Sequence, residues 1–342
     1  MLSRLFKRQT DSQPAADASG QPAAGADGQP AARSLSLDWR QYVVFIAFVV
    51  VLAVFGATLY DSGFLSPNNL LNIVRQSAII AVMAVAMTFV ISAAEIDLSV
   101  GSVAGLASVL SALAVSEYGL FAGIAAGILT GLVVGSINGA LVAALRIPSF
   151  LVTLGMLGIA VGTARWITDS APVPILDDAF NNIFGTGQIG PVPSLLIWLG
   201  VFLVAGHVIL RKSAYGRRVL ATGGNESAAR FSGVHTRRIK FYVLLASSTV
   251  AALAGMLYAG RLQSGRYQWG EGDELSVIAA VILGGTSLFG GFGTVVGSVL
   301  GALLVGLINN GLTLMGLEFS QQQIVRGAII ILAVALARKG LR

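Results

Sequence analysis

Apolar residues occur along this chain in long blocks, without the two-residue alternation of a half-buried strand or the narrow stripe of a surface helix. Ile79 to Ala94 and Val103 to Val115 carry no charge, and comparable blocks recur from Tyr42 onward. Crossing the hydrocarbon of a bilayer takes about 20 mostly apolar helical residues. Inside lipid each backbone amide must be bonded within a helix or a closed barrel, and barrel strands alternate in polarity as these blocks do not. The pattern predicts helices over about 42–60, 72–93, 98–115, 120–145, 149–168, 194–210, 241–259, 275–289, 293–309 and 322–337. The third and eighth are short and each begins beside an acid, so broken or re-entrant helices are expected there.

Composition agrees with this reading. Hydrophobic residues make up 55% of the 342 and charged residues 11%, where a soluble domain has about 25% charged. The expected fold class is an all-α polytopic membrane protein of about ten transmembrane helices. Residues 1–38 differ: Gln-Pro-Ala-Ala recurs every eight residues from Gln13, with too little large apolar surface to offset the entropy of ordering. They are expected to form a disordered cytoplasmic tail ahead of a transmembrane domain over 39–342.

Lys and Arg accumulate on the cytoplasmic side of membrane proteins. Seventeen of the 22 fall in the tail, the loop 211–240, at Arg146 and at the C-terminus, whereas 169–193 contains three Asp and no Lys or Arg. Both termini are therefore expected in the cytoplasm, and the basic balance needs no nucleic-acid partner; membrane lipid is the expected surrounding. With no cysteine and two histidines, disulfides and thiolate metal sites are excluded, and no metal site is expected.

Two internal matches share one displacement. Val133 to Leu141 (VVGSINGAL) resembles Val295 to Leu303 (VVGSVLGAL), and Asp97 to Val100 (DLSV) resembles Glu274 to Val277 (ELSV). Each is shifted by five predicted helices. Halves with an odd number of spans insert in opposite directions, giving two inverted five-helix repeats over about 40–170 and 190–338. Such folds place substrates between their halves, at broken helices.

Glu95, Asp97 and Ser99 stand at the junction of the second and third helices, and Asp273 and Glu274 at the start of the eighth. Acids near the bilayer interior are costly and face a partner, a cavity or the membrane edge. Asp97 is expected to cap the third helix at its inner end, with Asp273 and Glu274 doing so at the outer start of the eighth. Contact with a translocated solute is the alternative. Gly127, Gly131, Gly135 and Gly139, with Gly123, form an i, i+4 ladder, repeated in part by Gly297 and Gly301. Small stripes of this kind let helix backbones approach closely, and packing within the chain is expected. In the basic loop, Asn225 is expected to cap a short helix with Glu226 in its first turn and a small face of Ser227, Ala228 and Ala229; Phe231 follows and Gly233 ends it. Docking on a partner and a solvated loop both remain open from these residues alone. No G-x-x-x-x-G-K-[ST] string occurs, so the chain is expected to bind no ATP, and no catalytic set is visible.

At these motifs the chain resembles the permeases of ribose-type ABC importers for monosaccharides. The strings that carry the resemblance are Met83 to Ser102, Gly216 to Val234 and Gly272 to Leu317, and similarity spans roughly 40–338. The resemblance implies a permease in the bacterial inner membrane that works beside a second copy or a paralogue. It also implies a cytoplasmic ABC ATPase carrying ATP and Mg and a periplasmic sugar-binding protein, so this chain is a transport subunit and not itself the ATPase. It makes Asn225 to Gly233 the ATPase-coupling helix. Two departures accompany it: Ala94-Glu95 stands where the family commonly has a glycine pair, and Ser264 to Leu275 is more aromatic than the family's Pro/Ala-rich version. The substrate is left as a pentose, hexose or polyol. Alternatives are an ion-coupled carrier using Glu95 and Asp97, or an ABC permease for branched-chain amino acids or nucleosides.

Overall fold

Each apolar block folds as a helix whose ends are set by local chemistry. α1 (Val43–Thr58) leads to α2 (Pro67–Ser92), which starts where Ser66 accepts a hydrogen bond from the Asn69 amide and Pro67 takes the first position. α3 (Val100–Tyr118) and α4 (Leu120–Ala143) are divided by Gly119 at φ +81°. α5 (Ser149–Thr168) follows Pro148. The computed structural model describes residues 43–318, 320–325, 327, 328 and 331. The expected tail 1–38 and much of the expected helix 322–337 lie outside the described residues.

After α5 come three two-residue strands, a short helix and a π-helical turn: β1 (Val173–Pro174), α6 (Asp178–Asn181), the π-helical turn (Asn182–Thr186), β2 (Gln188–Ile189) and β3 (Val192–Pro193). α7 (Ser194–Lys212), α8 (Ala214–Gly224), α9 (Glu226–Phe231) and α10 (Thr236–Leu262) precede β4 (Ser264–Gly265), α11 (Asp273–Leu283) and α12 (Val295–Leu314). β1 pairs antiparallel with β4, and β2 with β3. Among the described residues, seven helices are long and apolar enough to cross a membrane.

α10 lies along α4 and α3, while α2 lies along α12 and α11; α3 packs on α4 and α11 on α12. Exchanging α2 with α10, α3 with α11 and α4 with α12 leaves this contact scheme unchanged. The glycine ladder faces α10: Gly127 abuts Met256, Gly131 Thr249, Gly135 Leu245 and Gly139 Phe241. Gly297 and Gly301 abut the backbones of Gly284 and Ala280.

One expectation is corrected here. The eighth helix, expected over 275–289, is the 11-residue α11, about 16 Å long and near half the hydrocarbon thickness. It stops at Leu283 because Gly284 and Gly285 follow, the latter at φ +88°. Asp273 and Glu274 at its start are half-buried. The preceding segment 264–272 turns back into the bundle and runs antiparallel along α3. There Ser108 Oγ bonds both the carbonyl and the amide of Arg266, at 2.9 and 3.2 Å. Further along, the Tyr267 carbonyl meets Gly105 and the Gly270 carbonyl meets Gly101. α3 and α11 therefore begin beside each other, with the Glu274 carboxylate against Gly101. Glycine on both sides permits this approach, and Gly270 and Gly272 take positive φ values that other residues rarely adopt.

Candidate functional site

The break between α2 and α3 is built from polar groups on four helices. α2 ends at Ser92, Ala94 turns the chain with φ +61°, the Glu95 amide bonds back to the Val90 carbonyl, and the Ile96 and Leu98 amides lie beyond the helix. α5 supplies partners: Ser149 Oγ accepts from the Ile96 amide and Thr153 Oγ1 from the Leu98 amide, both at 3.0 Å. Asp97, fully buried, accepts on Oδ1 from the Ser99 amide at 2.9 Å and from Ser99 Oγ at 2.6 Å. Ser99 Oγ in turn accepts from Asn138 Nδ2 of α4 at 3.1 Å.

This corrects the expected cap. Ser99, not Asp97, occupies the N-cap position of α3, and its side chain accepts nothing from the helix amides because it is bonded to Asp97. Asp97 secures the approach to the helix rather than its first turn. Neither does a side chain cap α11, whose N-cap is Gly272; Asp273 accepts from the Tyr258 hydroxyl, and Glu274 sits in the first turn.

Asn138 was missed in the sequence. A lone Asn among apolar residues on the glycine-bearing face of α4 is its signal, since a buried amide requires partners. Asn138 Oδ1 and Ser248 Oγ are buried without hydrogen-bond partners among the described residues, and Ser247 of α10 lies beside the Asp97 carboxyl. The break thus offers acceptors and hydroxyls within an otherwise apolar bundle. Asp97→Asn preserves the acceptor for the Ser99 amide and is expected to keep uptake within a few-fold of wild type, whereas Asp97→Leu is expected to lose most of it. Equal and complete loss in both, measured at matched protein levels, would show instead that the charge itself is required.

Glu95 sits at the same break and has a different partner. Its Oε1 lies 2.8 Å from Lys240 Nζ on α10, and that Nζ lies 2.8 Å from Glu226 Oε2 on α9. Thr236 Oγ1 donates to the remaining Glu226 oxygen at 3.1 Å. In the sequence Lys240 is one basic residue among the eight of the loop 211–240, and partners 145 and 14 positions away leave no spacing signal. Beside this cluster is a cavity of about 700 Å³ whose walls include Glu95, Arg146, Glu226, Arg230, His235 and Lys240.

α9 itself is short. Asn225 Oδ1 accepts from the Ala228 amide at 2.9 Å, and Gly233, at φ +83°, follows its end. Ser227 and Ala228 are exposed, but Ala229 is buried against its own chain, and the Phe231 side chain is 88% exposed. The expected small face therefore loses Ala229: three consecutive residues sweep about 200° of a helix and cannot share one face. The hydrogen bond from Lys240 holds the Glu226 carboxyl below the ordinary glutamate range, with the Thr236 bond and Arg230 acting in the same direction.

A lowered folded-state value means the Glu226 contribution is present above the ordinary carboxylate range and is lost as pH falls through the lowered value. A nitroxide at Ser232→Cys, in a chain with no native cysteine, is expected to gain mobility only below about pH 4. With Glu226→Gln added, it should already be mobile at neutral pH. Unchanged spectra in both cases would mean that this pair does not hold α9.

Comparison with known proteins adds one family match and three relatives. The family described as "Branched-chain amino acid transport system / permease component" matches residues 69–334. The ribose import permease protein RbsC of Escherichia coli (strain K12) is 38% identical, over 86% of this chain and 92% of that protein. RbsC of Bacillus subtilis (strain 168) is 40% identical, over 85% and 90%. The xylose transport system permease protein XylH of Escherichia coli (strain K12) is 33% identical, over 88% and 92%. No solved structure matches.

Proposed function

Because the chain belongs to the branched-chain amino acid transport system / permease component family, we propose that it is the membrane-spanning permease subunit of an ATP-driven, binding-protein-dependent importer for a monosaccharide. The observation that carries this reading is identity of 33–40% to ribose and xylose permeases along almost the whole transmembrane region. The amino acid in the family's description belongs to the family at large; the relatives just named carry sugars in their names.

The α8–α9 end faces the cytoplasm, with both termini, in a bacterial inner membrane. α9, with Asn225 as its cap and Phe231 exposed, docks on a cytoplasmic ABC ATPase that holds ATP and Mg. A periplasmic sugar-binding protein delivers the solute, and a second copy or a paralogue completes the permease. The ten helices form two inverted five-helix repeats. The exchangeable contacts of α2, α3 and α4 with α10, α11 and α12 support this, as do the adjoining starts of α3 and α11. The polar break around Asp97, Ser99 and Asn138 and the start of α11 at Asp273 and Glu274 border the path. An ion-coupled mechanism is disfavoured because Glu95, one of the two acids it would use, is taken up by Lys240.

Purification from the native membrane in mild detergent, followed by mass spectrometry, tests the assignment. A P-loop ATPase is expected to copurify. Repeated recovery without one, under conditions that preserve a known ABC complex, would contradict the proposal.

A further inference from the structure

We propose that Lys240 is a positioning residue that transmits movement of α9 to the break between α2 and α3, gripping Glu226 on one side and Glu95 on the other. The inference rests on the reading of α9 as the ATPase-docking element.

The geometry is a single ammonium shared by two carboxylates at 2.8 Å each. An ammonium offers three donors, so it holds both at once. The two arms differ in setting. The Glu226 side chain is 44% exposed, while that of Glu95 is 8% exposed and that of Lys240 21%. The inner arm is consequently shielded from salt, where a surface pair would be screened. Breaking it leaves a buried carboxylate uncompensated.

Glu95 is also well placed to pass on a displacement. It lies one residue from Ala94, whose left-handed turn ends α2, and two from Asp97. Ile96 and Leu98 are tied to α5, and Asp97 to Ser99 and thereby to Asn138 of α4. A pull on Glu95 therefore reaches α3, α4 and α5 through contiguous hydrogen bonds. On the opposite arm, Glu226 is in the first turn of α9, and its other oxygen accepts from Thr236 at the start of α10. A shift of α9 then moves the first turns of α10 together with Lys240. Glu95 stands where the sequence departs from the glycine pair of the resembled family, and Lys240 is the partner that makes a buried acid acceptable there.

The test uses the complex purified with its copurifying ATPase and binding protein, reconstituted in vesicles, with sugar uptake and ATP hydrolysis read in the same preparation. Glu95→Gln is expected to retain the ATPase and to lower uptake per ATP hydrolysed about tenfold. Lys240→Arg, which keeps the charge and offers several donors, is expected to keep most of the wild-type ratio where Lys240→Met does not. Glu95→Gln with Glu226→Gln is expected to be no worse than the stronger single variant, because both act through one lysine; a merely structural role would lower ATP hydrolysis and uptake together and leave their ratio unchanged. Wild-type stoichiometry in Glu95→Gln, or additive losses in the double variant, would overturn the inference. Phe231→Asp, run beside them, reads the underlying assumption separately: if it keeps both the ATPase and uptake, it is the docking assignment that fails.

Discussion

Phe231→Asp combined with Ala228→Arg is expected to abolish uptake and the stimulation of ATP hydrolysis, while the protein remains inserted and monodisperse. Phe231 exposes nearly all of its side chain at the end of a six-residue helix. Burying such a ring in a partner groove contributes about 1.5–3 kcal/mol, and one aromatic anchor of this size dominates a small interface. Asp at 231 removes that contribution and adds a charge requiring solvation. Arg at 228 places bulk on the exposed small surface that must approach the partner. Neither side chain supports this chain's own packing, so folding is spared. Ala229→Arg is the wrong probe, because Ala229 is buried and its replacement would displace α9 from its own protein. The check is copurified ATPase and ATP hydrolysis at equal permease content. Normal uptake in the double variant would remove α9 from the coupling pathway.

Gly131→Leu is expected to be among the most damaging single changes in the helices. A β-carbon at 131 would stand 2.6 Å from Thr249 Cα and 2.7 Å from the Ser248 carbonyl, so backbone rather than a flexible tip must move. Separating α4 from α10 would also pull Asn138 from Ser99 and disturb the polar break. Overpacking against a movable neighbour costs about 1–3 kcal/mol; against a helix backbone along a ladder of glycines, loss of the folded protein is the expected result. Gly200→Leu is the control, since nothing lies within 4 Å of a β-carbon there. Thermal stability by size exclusion in detergent should show the 131 variant aggregated and the 200 variant near wild type. A Gly131→Leu protein as stable as wild type would mean that the close approach does not hold α4 on α10.

The helices were legible because burial in lipid imposes one rule on every residue of a span, and unbroken apolar blocks satisfy it. α5 runs over Ser149–Thr168 as its block predicts, and α4 starts at Leu120 after the one glycine that turns the chain. The partner of the glycine ladder was not written in the ladder itself. Local pattern shows that Gly131 and Gly135 can admit a backbone, and only the tertiary structure supplies Thr249 and Leu245. The eighth helix was overextended for a related reason. Apolarity continues past Leu283 through a Gly-rich segment, so hydropathy gave no stop, and the return of 264–272 along α3 depends on meetings such as Gly101 with Gly270 that have no sequence period.

The site was legible in its residue types and much less so in its connections. Glu95 and Asp97 stood out as acids flanked by hydrocarbon, yet they face different partners: Lys240 for one, Ser99 and Asn138 for the other. Only Ile96 lies between them in the chain, and no local spacing rule assigns the two acids to different partners. For α9 the Asn225 cap was a local signal. Which small residue faces inward depended on α9's neighbours, and Ala229 was therefore misplaced.

Uptake of labelled monosaccharides by vesicles containing the reconstituted complex, with ATP and membrane potential controlled separately, tests the central claim most directly. Uptake that requires ATP and persists when the potential is collapsed is the predicted result. Uptake that continues without ATP and stops when the potential is collapsed would contradict the account and return Asp97 to the place of a coupling-ion site.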